Sequence, residues 1–134
     1  METGPVEGKE KQKKTILIVE DDETSFFFLK FILTKENIKI LHAQSGQDAI
    51  DLCETHPNID LILMDIKMAG MNGIDATKII KSRFPALPII AQTAFALTSD
   101  KDNILKAGCD DYITKPIRKE ELLEKIYHFL NLKK

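Results

Sequence analysis

The sequence has few of the residues that would assign it to several common classes of protein. Its 134 residues include no tryptophan and only two cysteines, Cys53 and Cys109, which follow no metal-ligand spacing and are predicted to be free thiols of a reducing compartment. No apolar run is long enough to span a bilayer, and the polar start lacks the features of a signal peptide. The net charge is −2, so no broad field favours nucleic acid or a membrane surface. These absences predict a single cytoplasmic domain with one core.

Four short apolar runs are present, and each is followed by residues suited to phosphate or metal chemistry. They are Ile16–Val19 before Glu20 and Asp21, Leu61–Met64 before Asp65, Pro88–Gln92 before Thr93, and Asp111–Thr114 before Lys115. Runs of this length, bounded by polar or turn residues, indicate buried strands of a parallel sheet. Ligands of such sheets bind beyond the carboxyl ends of the strands. The carboxylates, the hydroxyl and the ammonium are therefore expected to share one crevice, which suits a divalent cation together with a phosphoryl group.

Strands and helices alternate five times after a polar, lysine-rich leader. Residues 1–14 are predicted to be this flexible leader and residues 15–134 to be the domain. Predicted strands lie at 16–19, 38–42, 61–64, 89–92 and 111–114. Predicted helices cover 24–35 with Thr24 or Ser25 as cap, Ser45 to His56, the residues up to Phe84, 97–107 and 119–130. The pattern predicts an α/β, flavodoxin-like, doubly wound five-stranded parallel sheet in the order 2-1-3-4-5 with five helices.

Four sequence segments together form a specific pattern. They are Ile16–Asp22, Asp60–Ile66 with Met71–Gly73, Pro88–Ala94, and Gly108–Pro116. In this order and spacing they resemble the receiver domain of two-component response regulators, of the chemotaxis-regulator-like kind. The resemblance extends from about residue 15 to the end of the chain. The stretch Thr93–Ala96, together with Gly108–Pro116, is more similar to receivers from hybrid sensor histidine kinases. Both a stand-alone receiver and a part of a larger protein stay open.

The resemblance implies a phosphorelay function with Asp65 as phosphoacceptor. Asp65 would attack the phosphorus of a phosphohistidine on a histidine kinase or a histidine phosphotransfer protein. Glu20 and Asp21 resemble the acidic pair that holds Mg²⁺, with Asp65 and the backbone carbonyl of Lys67 as further ligands. The protein would catalyse its own phosphorylation and dephosphorylation, and no independent enzyme class is indicated.

Further roles follow from the same resemblance. Lys115 would bind a phosphoryl oxygen, and Pro116 would form a cis peptide bond that directs this lysine inward. The hydroxyl of Thr93 and the backbone N–H of Ala94 would contact the same phosphoryl group. Tyr112 resembles the switch aromatic that turns inward when Thr93 moves, which would change the face formed by helix 4, strand 5 and helix 5 and so reach a downstream effector.

Helix 1 carries three consecutive phenylalanines that cannot all face the sheet. We expect Phe28 and Ile32 to be buried and at least one of Phe26, Phe27 and Phe31 to be exposed. The resemblance implies that helix 1 receives the helical bundle of the phosphodonor, so Phe26 and Phe27 are candidate partner-docking residues. Packing against helix 5 or the leader is the alternative.

Three positions at the expected site depart from the family pattern or stand out against it. Ala69 replaces the usual proline of a turn, which removes a fixed φ and predicts a more mobile loop. Lys67 and Phe95 occupy positions that govern access of the hydrolytic water in this family. They predict an altered rate of autodephosphorylation, although the residues do not give its sign.

The alternative function is a pseudo-receiver, a protein-interaction module without phosphotransfer. Loss of Asp65, Lys115 or the acidic pair would indicate it, and all of them are present. A Mg²⁺-dependent phosphohydrolase would have a second aspartate two residues after its nucleophile, where this chain has Lys67. The resemblance is compatible with a monomer or a weak dimer.

Overall fold

A parallel five-stranded sheet forms the centre of the computed structural model, which describes residues 13–68, 70–94 and 98–132. The strands are β1 Thr15–Val19, β2 Lys39–Ala43, β3 Leu61–Asp65, β4 Ile89–Thr93 and β5 Asp111–Thr114. They pair in the order β2-β1-β3-β4-β5, so the predicted flavodoxin-like arrangement is confirmed. The order reverses between β1 and β3, and the ends of these two strands define the crevice where ligands of such sheets bind.

Five helices cover the two faces of the sheet. They are α1 Glu23–Thr34, α2 Gly46–Thr55, α3 Gly73–Arg83, α4 Thr98–Ala107 and α5 Lys119–Leu130. Ser45 caps α2 as predicted, because its side chain accepts a hydrogen bond from the N–H of Asp48. Among the described helices, none has the length and apolar character that a bilayer crossing requires.

The predicted cap of α1 is wrong. Asp22, rather than Thr24 or Ser25, caps the helix, and its Oδ2 accepts hydrogen bonds from both the N–H and the hydroxyl of Ser25 at 2.8 Å. A carboxylate near the positive end of the helix dipole is a strong cap. The helix consequently begins one residue earlier than predicted, at Glu23.

Alternation along the strands divides the core into two halves. One half, against α1 and α5, contains Ile16, Ile18, Leu61, Leu63, Ile90 and Ile113. The other half, against α2, α3 and α4, contains Leu17, Val19, Ile62, Met64, Ile89 and Ala91. Because the next residue along each strand points to the opposite face, Glu20 and Asp65 project toward the α1/α5 side.

The orientation of α1 differs from the prediction. The buried stripe is Phe26, Leu29, Ile32 and Leu33, whereas Phe28 is 47 % exposed. Phe26 stacks on the imidazole of His42 in β2, with ring centroids 3.6 Å apart and an angle of 8° between the ring planes. This contact turns Phe26 inward and leaves Phe27, Phe28 and Phe31 on the outer surface. The prediction that Phe28 is buried is therefore wrong, and that for Ile32 is confirmed.

Both cysteines are buried free thiols. Burial raises the pKa of Cys53 and of Cys109 to about 11. Both are protonated and weakly nucleophilic at neutral pH, so they pack as small apolar side chains.

Candidate functional site

Three carboxylates meet where β1 and β3 end. One oxygen from each of Glu20, Asp21 and Asp65 lies within 4.8 Å of the others. Glu20 and Asp65 are buried and Asp21 is exposed. The backbone of Glu20 is held by β2, since its N–H donates to the carbonyl of Ala43 at 2.9 Å and its carbonyl accepts from Nε2 of His42 at 2.8 Å. The structure thus brings the predicted acidic residues together on a rigid support.

The surroundings of Glu20 disfavour its charged form. Burial is the largest cause, and repulsion from the Asp65 carboxylate the next, that raises the pKa of Glu20 to about 7. The ammonium of Lys115 acts to lower it. Oε1 of Glu20 is buried and has no hydrogen-bond partner among the described residues. Three carboxylates with an unpartnered buried oxygen fit a hard cation such as Mg²⁺, which prefers oxygen ligands.

Lys115 places its ammonium group beside two of the carboxylates. Its Nζ lies 3.4 Å from Oδ1 of Asp65 and 3.8 Å from Oε1 of Glu20. Its backbone N–H donates to the carbonyl of Thr93 at 2.8 Å, which ties the lysine to the end of β4. The peptide bond between Lys115 and Pro116 is cis, in agreement with the prediction from the resemblance.

Thr93 and Tyr112 lie near each other on neighbouring strands. Thr93 ends β4 and is buried, Ala94 follows it and is exposed, and Tyr112 is half-buried in β5. Tyr112 pairs with Ala91, two residues before Thr93 in β4. Both side chains therefore face the α2–α4 half of the core.

The loop after β3 is described only in part. The backbone N–H of Lys67 donates to Oδ1 of Asp65 at 3.3 Å, and the lysine side chain is exposed. The predictions for Ala69 and Phe95, and those for residues 1–12 of the leader, fall outside the described residues.

The phenylalanines of α1 form an exposed patch, which we call the α1 patch, consisting of Phe27, Phe28 and Phe31. Their exposed fractions are 56 %, 47 % and 63 %. Phe26 is only 6 % exposed, so it offers little surface to a partner, and its docking role stays a prediction. The ring of Phe28 lines a cavity that Lys115 also lines, which places the α1 patch beside the site.

Two residues at the site were not anticipated in these roles. His42 anchors Glu20 and orients α1, and its position between the apolar residues Leu41 and Ala43 is the signal that could have indicated this. Gln92 is buried in β4 next to Asp65, with which it pairs across the sheet. A polar residue at the end of the apolar run Ile89–Ala91 was the corresponding signal.

Comparisons with known proteins agree with this geometry. The family model described as the response regulator receiver domain matches residues 16–127, and the chain belongs to this family. It is 37 % identical over 120 residues to the polar-differentiation response regulator DivK of Brucella ovis, a match that covers 87 % of this chain and 96 % of that protein.

Solved structures give the same assignment. A CheY-like receiver domain protein of Methanospirillum hungatei matches with a TM-score of 0.84 and 32 % identity, covering 90 % of this chain and 95 % of the other. The receiver domain of a signal transduction histidine kinase from Syntrophus aciditrophicus matches with a TM-score of 0.81 and 30 % identity, covering 88 % and 90 %. The fold is thus shared with a CheY-like receiver domain protein and with the receiver domain of a histidine kinase.

Proposed function

We propose that the protein accepts a phosphoryl group on Asp65 from a phosphohistidine of a histidine kinase or histidine phosphotransfer protein. The observation that carries this proposal is the pairing of a buried carboxylate cluster with the ammonium of Lys115, 3.4 Å from Asp65. Glu20, Asp21 and Asp65, with the backbone carbonyl of Lys67, would hold Mg²⁺. When bound, the ion neutralises negative charge on the carboxylates and on the entering phosphoryl group.

The transfer exchanges one bond to phosphorus for another. A carboxylate oxygen of Asp65 bonds to phosphorus, the bond from phosphorus to the histidine nitrogen breaks, and its electron pair returns to the imidazole. A carboxylate is a weak nucleophile, so positioning and neutralisation of charge supply most of the rate enhancement. The N–H of Lys67 orients Asp65 by donating to its Oδ1, while Lys115 and Thr93 contact the phosphoryl oxygens.

Intact-mass spectrometry tests this proposal. After incubation with phosphoramidate and Mg²⁺, we expect one phosphoryl group per chain, and none when excess EDTA is present from the start of the incubation. If a folded, Mg²⁺-binding protein gains no phosphoryl group and forms no stable complex with beryllofluoride, the pseudo-receiver is the better description. A beryllofluoride complex without a phosphoryl adduct indicates hydrolysis too fast to trap.

Phosphorylation would then be transmitted through Thr93 and Tyr112. The hydroxyl of Thr93 moves toward the phosphoryl group, and the ring of Tyr112 turns into the space that it leaves. Lys101 in α4 lies over this ring, with Nζ 5.6 Å from the centroid. A rotation of Tyr112 therefore changes the surface formed by α4, β5 and α5, where an effector would bind.

The α1 patch supports docking of the phosphodonor. Phe27→Ala is expected to slow transfer from a phosphohistidine donor about tenfold, since an exposed aromatic ring that becomes buried in an interface contributes 1 kcal/mol or more. Transfer from acetyl phosphate, which needs no docking surface, should keep its rate. Stopped-flow or gel-based transfer assays with both donors measure this difference.

Leu105→Ala is the matched control, because Leu105 is 50 % exposed on α4, a different helix. It should leave both rates unchanged. If Phe27→Ala slowed transfer from both donors equally, this would contradict docking and indicate that Phe27 acts by packing within the protein.

The raised pKa of Glu20 predicts a pH dependence of Mg²⁺ binding. Below about pH 7 Glu20 is increasingly protonated. A proton then competes with the metal, so affinity falls as pH falls. Between pH 8 and pH 6 we expect the affinity to drop about tenfold, as one proton per ion predicts. Isothermal titration calorimetry at several pH values measures it.

The folding stability of the metal-free protein should depend on pH in the opposite sense to the Mg²⁺ affinity. A raised pKa in the folded state means that the stability linked to Glu20 is present below pH 4.5 and is lost as pH rises through about 7. Glu20→Gln removes the titrating group and should flatten both profiles in this range. An unchanged dependence in that variant would assign the titration to another group.

A further inference from the structure

Gln92 is a buried polar residue to which the proposed function gives no role. Its side chain is 1 % exposed, and neither Oε1 nor Nε2 has a hydrogen-bond partner among the described residues. An amide buried in this way is unfavourable compared with an apolar side chain of similar shape, because its lost hydrogen bonds to water are not replaced. The cost is accounted for if the amide gains a partner in another state of the site.

The position of Gln92 in the sheet identifies that partner. β4 lies between β3 and β5, and Gln92 pairs with Asp65 on one side and with Ile113 on the other. Lys115 lies two residues after Ile113, so alternation places Asp65, Gln92 and Lys115 on the same face. Because β4 separates β3 from β5, Lys115, whose Nζ lies 3.4 Å from Oδ1 of Asp65, extends across the end of β4 that carries Gln92.

The side chains of Gln92 and Lys115 line the same cavity. A cavity of about 340 Å³ lies between α1 and the connection from β5 to α5, and both Gln92 and Lys115 line it. Most of the remaining lining is apolar, including Phe28, Leu29 and Ile117. The other polar side chains of the lining are those of Thr24 and Ser25, and the hydroxyl of Ser25 donates to Asp22.

Lys115 itself is weakly held before phosphorylation. Its contacts with Asp65 and Glu20 are long, at 3.4 and 3.8 Å. Both carboxylates are proposed metal ligands, and Asp65 also carries the phosphoryl group. Once those oxygens are engaged, one N–H of the ammonium donates to a phosphoryl oxygen, and a neighbouring amide oxygen can accept from another.

We propose that Gln92 is a positioning residue whose Oε1 accepts a hydrogen bond from Nζ of Lys115 and holds the ammonium over the phosphoryl group on Asp65. The inference rests on the proposed function, because it concerns the phosphorylated site. The buried amide of Gln92 thereby gains a hydrogen-bond partner when Lys115 moves away from the carboxylates of Asp65 and Glu20.

Gln92→Met tests the inference, because methionine keeps the length of the side chain and removes both polar atoms. With phosphoramidate and saturating Mg²⁺, we expect the rate of phosphorylation to fall about tenfold, the loss of one charge-assisted hydrogen bond. The melting temperature should rise by roughly 4 °C, because an unpartnered amide is removed. Lower activity combined with higher stability is not expected of a residue that only packs.

Gln92→Leu is a second apolar variant, and Ile113→Val, on the same face, is the control that should keep the wild-type rate.

A double-mutant cycle separates action through Lys115 from other effects. In a Lys115→Ala background, Gln92→Met should change the residual rate by less than about twofold. A wild-type rate for Gln92→Met, or an equal loss in both backgrounds, overturns the inference and leaves the proposed function standing. If the wild-type protein accepts no phosphoryl group, the proposed function fails and this inference fails with it.

Discussion

Asp65→Asn is expected to abolish phosphorylation by phosphoramidate, by acetyl phosphate and by any phosphohistidine donor. An amide oxygen is too weak a nucleophile to form the acyl phosphate, so the rate should fall by at least about a hundredfold. The variant should fold, because it replaces a buried carboxylate that repels Glu20 with a neutral group of the same shape. Intact-mass spectrometry after incubation with donor and Mg²⁺ measures the loss.

Asp22→Asn is the matched control for this experiment. Asp22 lies next to the acidic pair but is exposed and caps α1 through Ser25. Asparagine can accept the same hydrogen bonds, so the helix should remain intact. The control should be phosphorylated like the wild-type protein. If Asp65→Asn still takes up one phosphoryl group, another side chain is the acceptor and the assignment of Asp65 as phosphoacceptor is wrong.

The strands were predictable because each buried run is short and continuous in sequence. All five predicted strands exist, and their bounds differ from the observed ones by at most one residue. The strand order followed from the alternation of strands and helices and from the resemblance to a known family, and it is confirmed. Local pattern was sufficient here because both faces of a doubly wound sheet are covered by helices.

The orientation of α1 could not be obtained in the same way. Consecutive phenylalanines give almost the same apolar periodicity whether Phe26 or Phe28 faces the core. The ring of His42, on another strand, decides between them by stacking on Phe26. This contact joins residues distant in sequence, so no local rule contains it.

The residues that form the site could be predicted from the sequence, whereas the electrostatics of the site could not. Strand ends and family motifs placed Glu20, Asp21 and Asp65 together, and the structure brings their oxygens within 4.8 Å. The raised pKa of Glu20 and the unpartnered amide of Gln92 depend on burial, which arises from packing of the helices over the sheet. The roles of Thr93 and Tyr112 stay predictions until phosphorylation is measured.

Gly73→Ala is expected to lower both stability and phosphorylation strongly. Gly73 begins α3, and its N–H donates to the carbonyl of Ile66 at 3.0 Å. A Cβ at this position would lie 2.3 Å from the carbonyl oxygen of Asp65 and 2.8 Å from Cα of Ile66. These are backbone atoms, so the helix or the end of β3 must move. We expect a loss of about 3 kcal/mol in the free energy of unfolding, measured in urea.

The clash also reaches the chemistry, because it is directed at the peptide unit of the phosphoacceptor. Displacing the Asp65 carboxylate by about 1 Å from Lys115 and the acidic pair is expected to slow phosphorylation about a hundredfold. Gly70→Ala is the control from the same loop. Gly70 has a φ of +76° but nothing within 4 Å of an added Cβ, so its loss should be limited to backbone strain of about 1 kcal/mol. If the two variants lose equal stability and equal activity, crowding against Asp65 is not the cause; a larger loss in Gly73→Ala assigns to this glycine the close approach of α3 that fixes the phosphoacceptor.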